Sequence, residues 1–584
     1  MKKGMKFVAL IVSFVFILSG CIKEKPVEEI SDNTIKQYVD PSLSGYEFRD
    51  NKYLYKNSDP KKVVTMYLTV LEGNSGEGTD HTWEEVNSYS AYDYEKMGID
   101  RYKVEGLLQV GDESGPLPGE LGYNQISPNC TVQIRGQSSS LREQKNYKIS
   151  VKDNKGQWNG QSTIALNKHV SDPTRFRNKL SYDLISGIDE IMGLRTTFVH
   201  LYVKDTTSGG NNKFTDYGLY TQVEQLNKTA LKAHGLDNKG HLYKINFCEF
   251  YRYEDVIKLK DDPDFNIKEF EKILEVKGND DHSKLIKMLE DVNDYSKDFD
   301  EVLDKHFDME NLSYWMAYQI LMGNIDTQSR NFYIYSPLNI DKWYIIPWDN
   351  DGSLRRTELK LAGRSDNGGW EEGISNYWGN VLFKRALKSE KYVLALNRAI
   401  EEIKAYLNYE RVNEYVTTYA SIVKPYLYRM PDIMYAPVTS GQFDYIVKNL
   451  ASEIEANYLS YKESYEKPMP FFIGLPKKTE KGLYIECEGA FDFDLENITY
   501  NIQIAKDYRF NNVVANFENV LIPAVTIDML PKGQYFIKVT ATNASGYTQT
   551  AFDYYMTSEG KQYGVKCFYV EADGTIVEDI YVEG

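Results

Sequence analysis

The segment Lys467-Pro468-Met469-Pro470 cuts this chain in two. Two prolines so close together lack the N–H groups that a helix needs, so the helical pattern before them has to stop. Upstream, residues 393–407 and 443–465 carry apolar side chains at helical spacing. Downstream, residues 482–486, 498–504, 525–529 and 534–543 alternate apolar and polar residues between turn-forming segments. A chain that changes period at one point is α+β, with a C-terminal β-sandwich over 470–584. That module is expected to be separate from the rest and to add nothing to a site elsewhere.

Upstream of the break the pattern divides again near Glu224. From 62 to 224 the signal is β-branched and aromatic runs at 63–71, 130–135, 147–151, 198–203 and 217–224. One helix interrupts them, expected from a capping Asp172 with Pro173 in its first position, up to Gly193. From 225 to 466 the signal is helical, clearest from a capping Asp308 through Leu312, Trp315, Met316 and Ile320 to Gly323. Two strands, 331–336 and 342–349, follow that helix as a hairpin. The C-terminal strands around Gly533-Gln534-Tyr535 and Asn543-Ala544-Ser545-Gly546 resemble the last hairpin of a fibronectin- or immunoglobulin-like module. Asp573-Gly574 marks one more turn.

The first residues, Met1-Lys2-Lys3, precede an apolar run to Leu18 and the box Leu18-Ser19-Gly20-Cys21. This is the layout of a secretory signal (1–21) whose Cys21 becomes a lipidated N-terminus, and the run is too short to span a bilayer. Residues 22–61 then read as an acidic tether. The protein is therefore expected to be exported and membrane-anchored, at a cell surface or spore envelope. Its formal net charge of −17 excludes the clustered basic surface that nucleic acid needs, and suits a basic protein partner. The other cysteines, Cys130, Cys248, Cys487 and Cys567, lack metal-ligand spacing. Only Cys487 and Cys567 share a predicted domain, and buried thiols are the simpler expectation.

The chemistry concentrates in Asn324-Ile325-Asp326-Thr327-Gln328-Ser329-Arg330-Asn331, followed by the hairpin and Pro347-Trp348-Asp349-Asn350-Asp351. In protein kinases a catalytic-loop Asp is followed five residues on by an Asn, and a hairpin leads to a second, metal-binding Asp. Asp326, Asn331 and Asp349 have that spacing. Asp326 would then face an acceptor hydroxyl, while Asn331 and Asp349 supply hard oxygen ligands to magnesium. A single Asp-x-x-x-x-Asn match also describes residues that only cap turns.

Over about 131–352 the chain resembles the CotH family of spore-coat protein kinases. The resemblance rests on Arg135-Gly136-Gln137-Ser138-Ser139, Lys145-Asn146-Tyr147-Lys148-Ile149, Tyr217-Gly218-Leu219-Tyr220 with Glu224, Leu242-Tyr243-Lys244, and the Asp326 and Asp349 segments, in that order. It implies an atypical two-lobed kinase-like domain over 62–466, with lobes of about 62–224 and 225–466. It also implies ATP with Mg²⁺ or Mn²⁺ as cofactors and a protein substrate, a basic or Ser-rich coat or surface protein phosphorylated on Ser or Thr. By the same resemblance Asp326 is the catalytic aspartate, and Asp349, Asn331 and Asp351 hold metal. Trp348 and Tyr147 sandwich adenine, a contact worth roughly 1–3 kcal/mol per base. Arg135 and Lys145 are candidates for phosphate, and Glu224 belongs to the nucleotide-binding set. Lys145 is preferred to Lys148 because residues two apart on a strand share a face with Tyr147.

The chain departs from ordinary kinases in several places. Residues 135–140 are not a Gly-x-Gly-x-x-Gly loop, Asp326 lacks a preceding His-Arg, and the helix at 172–193 offers only Asp183 where a Glu would pair with the nucleotide-binding lysine. The competing class is a non-catalytic surface scaffold or adhesin that binds through its β-sandwich and needs no ATP. A glycosidase reading of Asp349 and Asp351 fails, because side chains two apart rarely flank a bond at the roughly 5–9 Å required.

Overall fold

The computed structural model describes residues 48–56, 58–363, 369–558 and 560–579. Cys21, its lipidation box and the tether up to residue 47 lie outside the described residues. Residues 48–56, expected as tether, pack on the body instead: Phe48 stacks on Tyr344 at 4.7 Å and Asp50 is buried.

The first sheet contains β1 (Val63–Leu71), β2 (Val104–Asp112), β3 (Gly115–Pro116), β4 (Cys130–Arg135), β5 (Asn146–Val151), β6 (Thr163–Asn167), β7 (Thr196–Asp205) and β8 (Phe214–Glu224). Their order is β1-β7-β8-β6-β5-β4-β2-β3, and β1 pairs with both β7 and β2, so the sheet closes into a barrel. Alternation sends one face of each strand inward, where Leu68, Ile134, Tyr147, Ile149, Leu166 and Leu201 form one apolar cluster. Gly106 makes the closure of β2 on β4 possible, since a Cβ there would lie 2.8 Å from Cys130 Sγ. The helix that follows β6 spans Arg177–Ile185 and starts later than expected. Asp172 does not cap residue 173; its carboxylate accepts from the backbone N–H groups of Thr174 (2.8 Å) and Arg177 (2.9 Å) and shapes the preceding turn.

The second half is built on the helix Met309–Met322. Asp308 caps it by accepting from the Asn311 N–H at 2.9 Å, and Gly323 ends it at φ +59°. The helix is buried nearly all round, packed against Glu390–Tyr406 and Glu453–Glu466. After it come β11 (Phe332–Ser336) and β12 (Tyr344–Pro347). Two further strands, β9 (His241–Ile245) and β10 (Leu274–Val276), lie within the stretch expected to be helical and complete an antiparallel sheet of order β10-β9-β11-β12. Among the described residues no helix is long and apolar enough to cross a membrane. All four described cysteines are free thiols.

Beyond Pro470 a three-stranded sheet and a larger one share a cluster containing Leu483, Ile485, Ile502, Ile504, Ile537 and Val539. This module is not isolated. Met469 and Phe471 are buried at the junction, Asn543 Nδ2 donates to the Glu466 carbonyl at 2.9 Å, and Trp370 Nε1 donates to the Phe552 carbonyl at 3.1 Å.

Candidate active site

The hairpin β11–β12 sets the site. Phe332 pairs with Pro347, and the Trp348 N–H donates to the Asn331 carbonyl at 3.1 Å, so Asn331 and Asp349 leave the same end of the ladder. Both adopt left-handed backbone, φ +63° and +55°. Asn and Asp reach that region more readily than other side-chain-bearing residues, yet such a conformation costs on the order of 1–3 kcal/mol and persists only where its surroundings impose it.

Those surroundings are hydrogen bonds from three elements. The Asp349 N–H donates to the Tyr182 hydroxyl (3.3 Å) and the Asn350 N–H to Asn178 Oδ1 (3.0 Å), both on the helix Arg177–Ile185. The Asn350 amide oxygen accepts from Gln319 and Asn324 at 3.2 Å each. Asp326 occupies the short turn Ile325–Thr327, braced from below by Asn376 donating to the Ile325 carbonyl (3.1 Å) and Asn380 donating to the Gln328 carbonyl (2.8 Å).

Asp326, Asn331, Trp348, Asp349 and Asp351 line one cleft of about 1310 Å³, and Arg135 from the end of β4 faces them across it. The Arg135 guanidinium lies 5.9 Å from the centre of the Trp348 ring and donates to Asn167. Asp326 is exposed and lines the concavity. Enclosure by protein raises its carboxyl pKa, with Asp351 adding to the rise and Arg330 opposing it. Burial likewise raises Asp349, helped by the Asp351 carboxylate and opposed by His169, Arg135 and Lys244. Asp351 ends below the usual range, because the hydrogen bond and charge of His169 outweigh its own burial. His169 Nδ1 lies 3.2 Å from Asp351 Oδ2, and the Asn178 amide nitrogen lies 3.4 Å from Nε2, so the ring is held on both sides.

Six of the nine candidates for catalysis, nucleotide or metal therefore converge, and Lys145, Tyr147 and Glu224 do not line the cleft. Tyr147 pairs with Ile134 and Leu166, so it points into the barrel, where it stacks on Trp83 at 5.0 Å and donates to Asn87 at 2.8 Å. Lys145 donates to the Ser140 carbonyl at 2.7 Å. The opposite face of β4 and β5 carries Arg135 and Asn146, both in the cleft, with Lys148 in phase with them. Glu224 is buried between Arg195 and His234, while its neighbour Val223 lines the cleft. Lys244, His169 and Asn178 were not among the candidates. Lys244 had a signal, a lone cation in the apolar run His241-Leu242-Tyr243-Lys244-Ile245.

The donor set suits a nucleotide with a divalent cation. Asn331, Asp349 and Asp351 offer the oxygen ligands that a hard cation prefers, and the cationic Arg135 and Lys244 act on Asp349 across the same space. Among the described residues no group of three or more His, Cys, Asp or Glu side chains forms a metal cage. A magnesium ion bound mainly through one or two carboxylates, substrate phosphates and water does not require one.

A closed barrel followed by a helical half that carries an Asp326–Asn331 loop and an Asp349 hairpin has the layout of a kinase-like protein. The CotH kinase protein family model matches residues 132–460, and the chain belongs to that family. It is 25% identical over 256 residues to the inner spore coat protein H of Bacillus subtilis (strain 168), a match spanning 42% of this chain and 64% of the relative's length. A crystal structure of the Helicobacter pylori proinflammatory kinase CtkA aligns over 55% of this chain and 94% of its own, at 9% identity and a TM-score of 0.27, too low to bear on fold or activity.

Proposed function

We propose that the protein is an ATP- and Mg²⁺- or Mn²⁺-dependent kinase that phosphorylates Ser or Thr of a coat or surface protein. The observation that carries this is the convergence of Asp326, Asn331, Trp348 and Asp349 on one cleft with the cationic Arg135 and Lys244. In this reading the 62–466 segment holds the two lobes and the module after Pro470 is a β-sandwich.

Trp348 presents its ring to the base, and Arg135 and Lys244 take the phosphates. Asn331, Asp349 and Asp351 hold the cation, which when bound supplies positive charge against the phosphate oxygens. Asp326 orients the acceptor hydroxyl and accepts its proton as that oxygen bonds the γ-phosphorus and the bond to the β–γ bridging oxygen breaks, releasing ADP. His169 and Asn178 fix Asp351. Lipidation of Cys21 would tether the enzyme to a membrane, and the spore-coat relative favours a spore envelope.

Calorimetry of the purified chain with ATP and either metal, followed by transfer of labelled γ-phosphate to a basic protein or to itself, tests this reading. A folded protein that binds no nucleotide at millimolar ATP would remove it.

A further inference from the structure

The hairpin of Tyr554–Thr557 and Gly560–Tyr563 belongs to the C-terminal module, outside the 132–460 family match, yet Met556 lines the same cleft as Asp326. Two contacts hold the hairpin there. Lys561 Nζ and the Tyr563 hydroxyl donate to the two oxygens of Glu371 at 2.7 and 2.6 Å. Glu371 in turn acts electrostatically on Asp326. A Cβ on Gly379 would lie 3.5 Å from Phe552 and 3.9 Å from Gln328, so Gly379 stands between the module and the loop that carries Asp326. The hairpin therefore borders the cleft that Asp326 lines, through Met556 and an anchor, Glu371, that acts on Asp326.

We propose that Met556 is a specificity-determining residue for the protein acceptor: the hairpin forms the acceptor-side wall, and Met556 packs on an apolar side chain next to the phosphorylated hydroxyl. A thioether on an unbranched chain adapts to apolar side chains of several shapes and offers nothing to a charged one. The family domain would then supply the transfer, and the added module would choose the acceptor. This rests on the kinase reading above.

The test uses the full chain, ATP with Mg²⁺ and two synthetic peptides that differ only in Leu or Asp beside one Ser. Wild type should favour the Leu peptide by about tenfold in kcat/KM. Met556→Asp should erase that preference through KM, Met556→Leu should keep it, and both variants should retain wild-type ATP affinity and melting temperature. Equal use of the two peptides by wild type, transfer to neither despite ATP binding, or a preference untouched by Met556→Asp would overturn the proposal. Loss of ATP affinity in that variant would do the same, by placing Met556 at the nucleotide. Wild type that binds no ATP would instead remove the kinase reading and this proposal with it, and calorimetry run first tells the two failures apart.

Discussion

The backbone N–H of Trp348 donates to the carbonyl of Asn331, which makes the residue expected to stack on adenine the clasp of the hairpin that aims the metal ligands. Because the clasp is a main-chain bond, replacing the Trp348 side chain leaves it in place, while melting temperature reports the packing lost with a ring that is buried against Tyr333. Trp348→Ala should weaken ATP affinity by about 1–3 kcal/mol while leaving the choice between Mg²⁺ and Mn²⁺ as in wild type. Calorimetry with each metal measures both.

Asp349 and Asp326 should separate binding from turnover. Asp349→Ala removes a carboxylate from the proposed cation site and should weaken metal-dependent ATP binding itself. Asp326→Asn keeps shape and polarity but cannot accept a proton, so affinity should stay near wild type while kcat falls about 10²–10⁴-fold. Equal loss of affinity in both variants would contradict the roles assigned to them.

The left-handed backbone at Asn331 gives a prediction about stability. Asn331→Gly fits that conformation and should melt near wild type, although metal-dependent binding weakens with the lost ligand. Asn331→Val adds a β-branched side chain where φ is +63° and should cost about 1–3 kcal/mol. Thermal unfolding of the pair separates the backbone from the ligand role.

How far the site was legible depended on whether its determinants were local. Asp308, Gly323 and the Asp326–Asn331 spacing are local signals, and each marks what it implied: a cap, a stop and a loop before a hairpin. Tyr147 was misplaced although a signal existed. Tyr147, Ile149 and Val151 alternate as one apolar face, and that face is the barrel interior. Strands β9 and β10 were hidden because a five-residue and a three-residue run inside a helical stretch carry too little periodicity to declare themselves. The contact of the C-terminal module with the cleft depends on pairings such as Lys561 with Glu371, 190 residues apart, which no local pattern encodes.

The buried ion cluster around His234 predicts how stability follows pH. His234 lies between Asp50 (2.6 Å) and Glu224 (2.9 Å), fully enclosed, and so ties the segment before β1 to the end of β8. Burial alone would lower its pKa, but the two carboxylates prevail and lift it from 6.5 to about 9. Burial opposes charge on Glu224 too, yet His234 and Arg195 bring it down from 4.5 to about 2. The histidine's contribution is complete below pH 6.5 and is lost as pH rises through 9. The carboxylate's is complete above pH 4.5 and is lost as pH falls toward 2. The melting temperature should therefore be highest between about pH 5 and 6.5 and decline on both sides. His234→Gln leaves two buried carboxylates facing a neutral amide, so it should be less stable at pH 6 and close much of that gap by pH 9. Calorimetric melting of both proteins across that range measures the gap, and a constant difference would show that His234 is neutral in the folded protein.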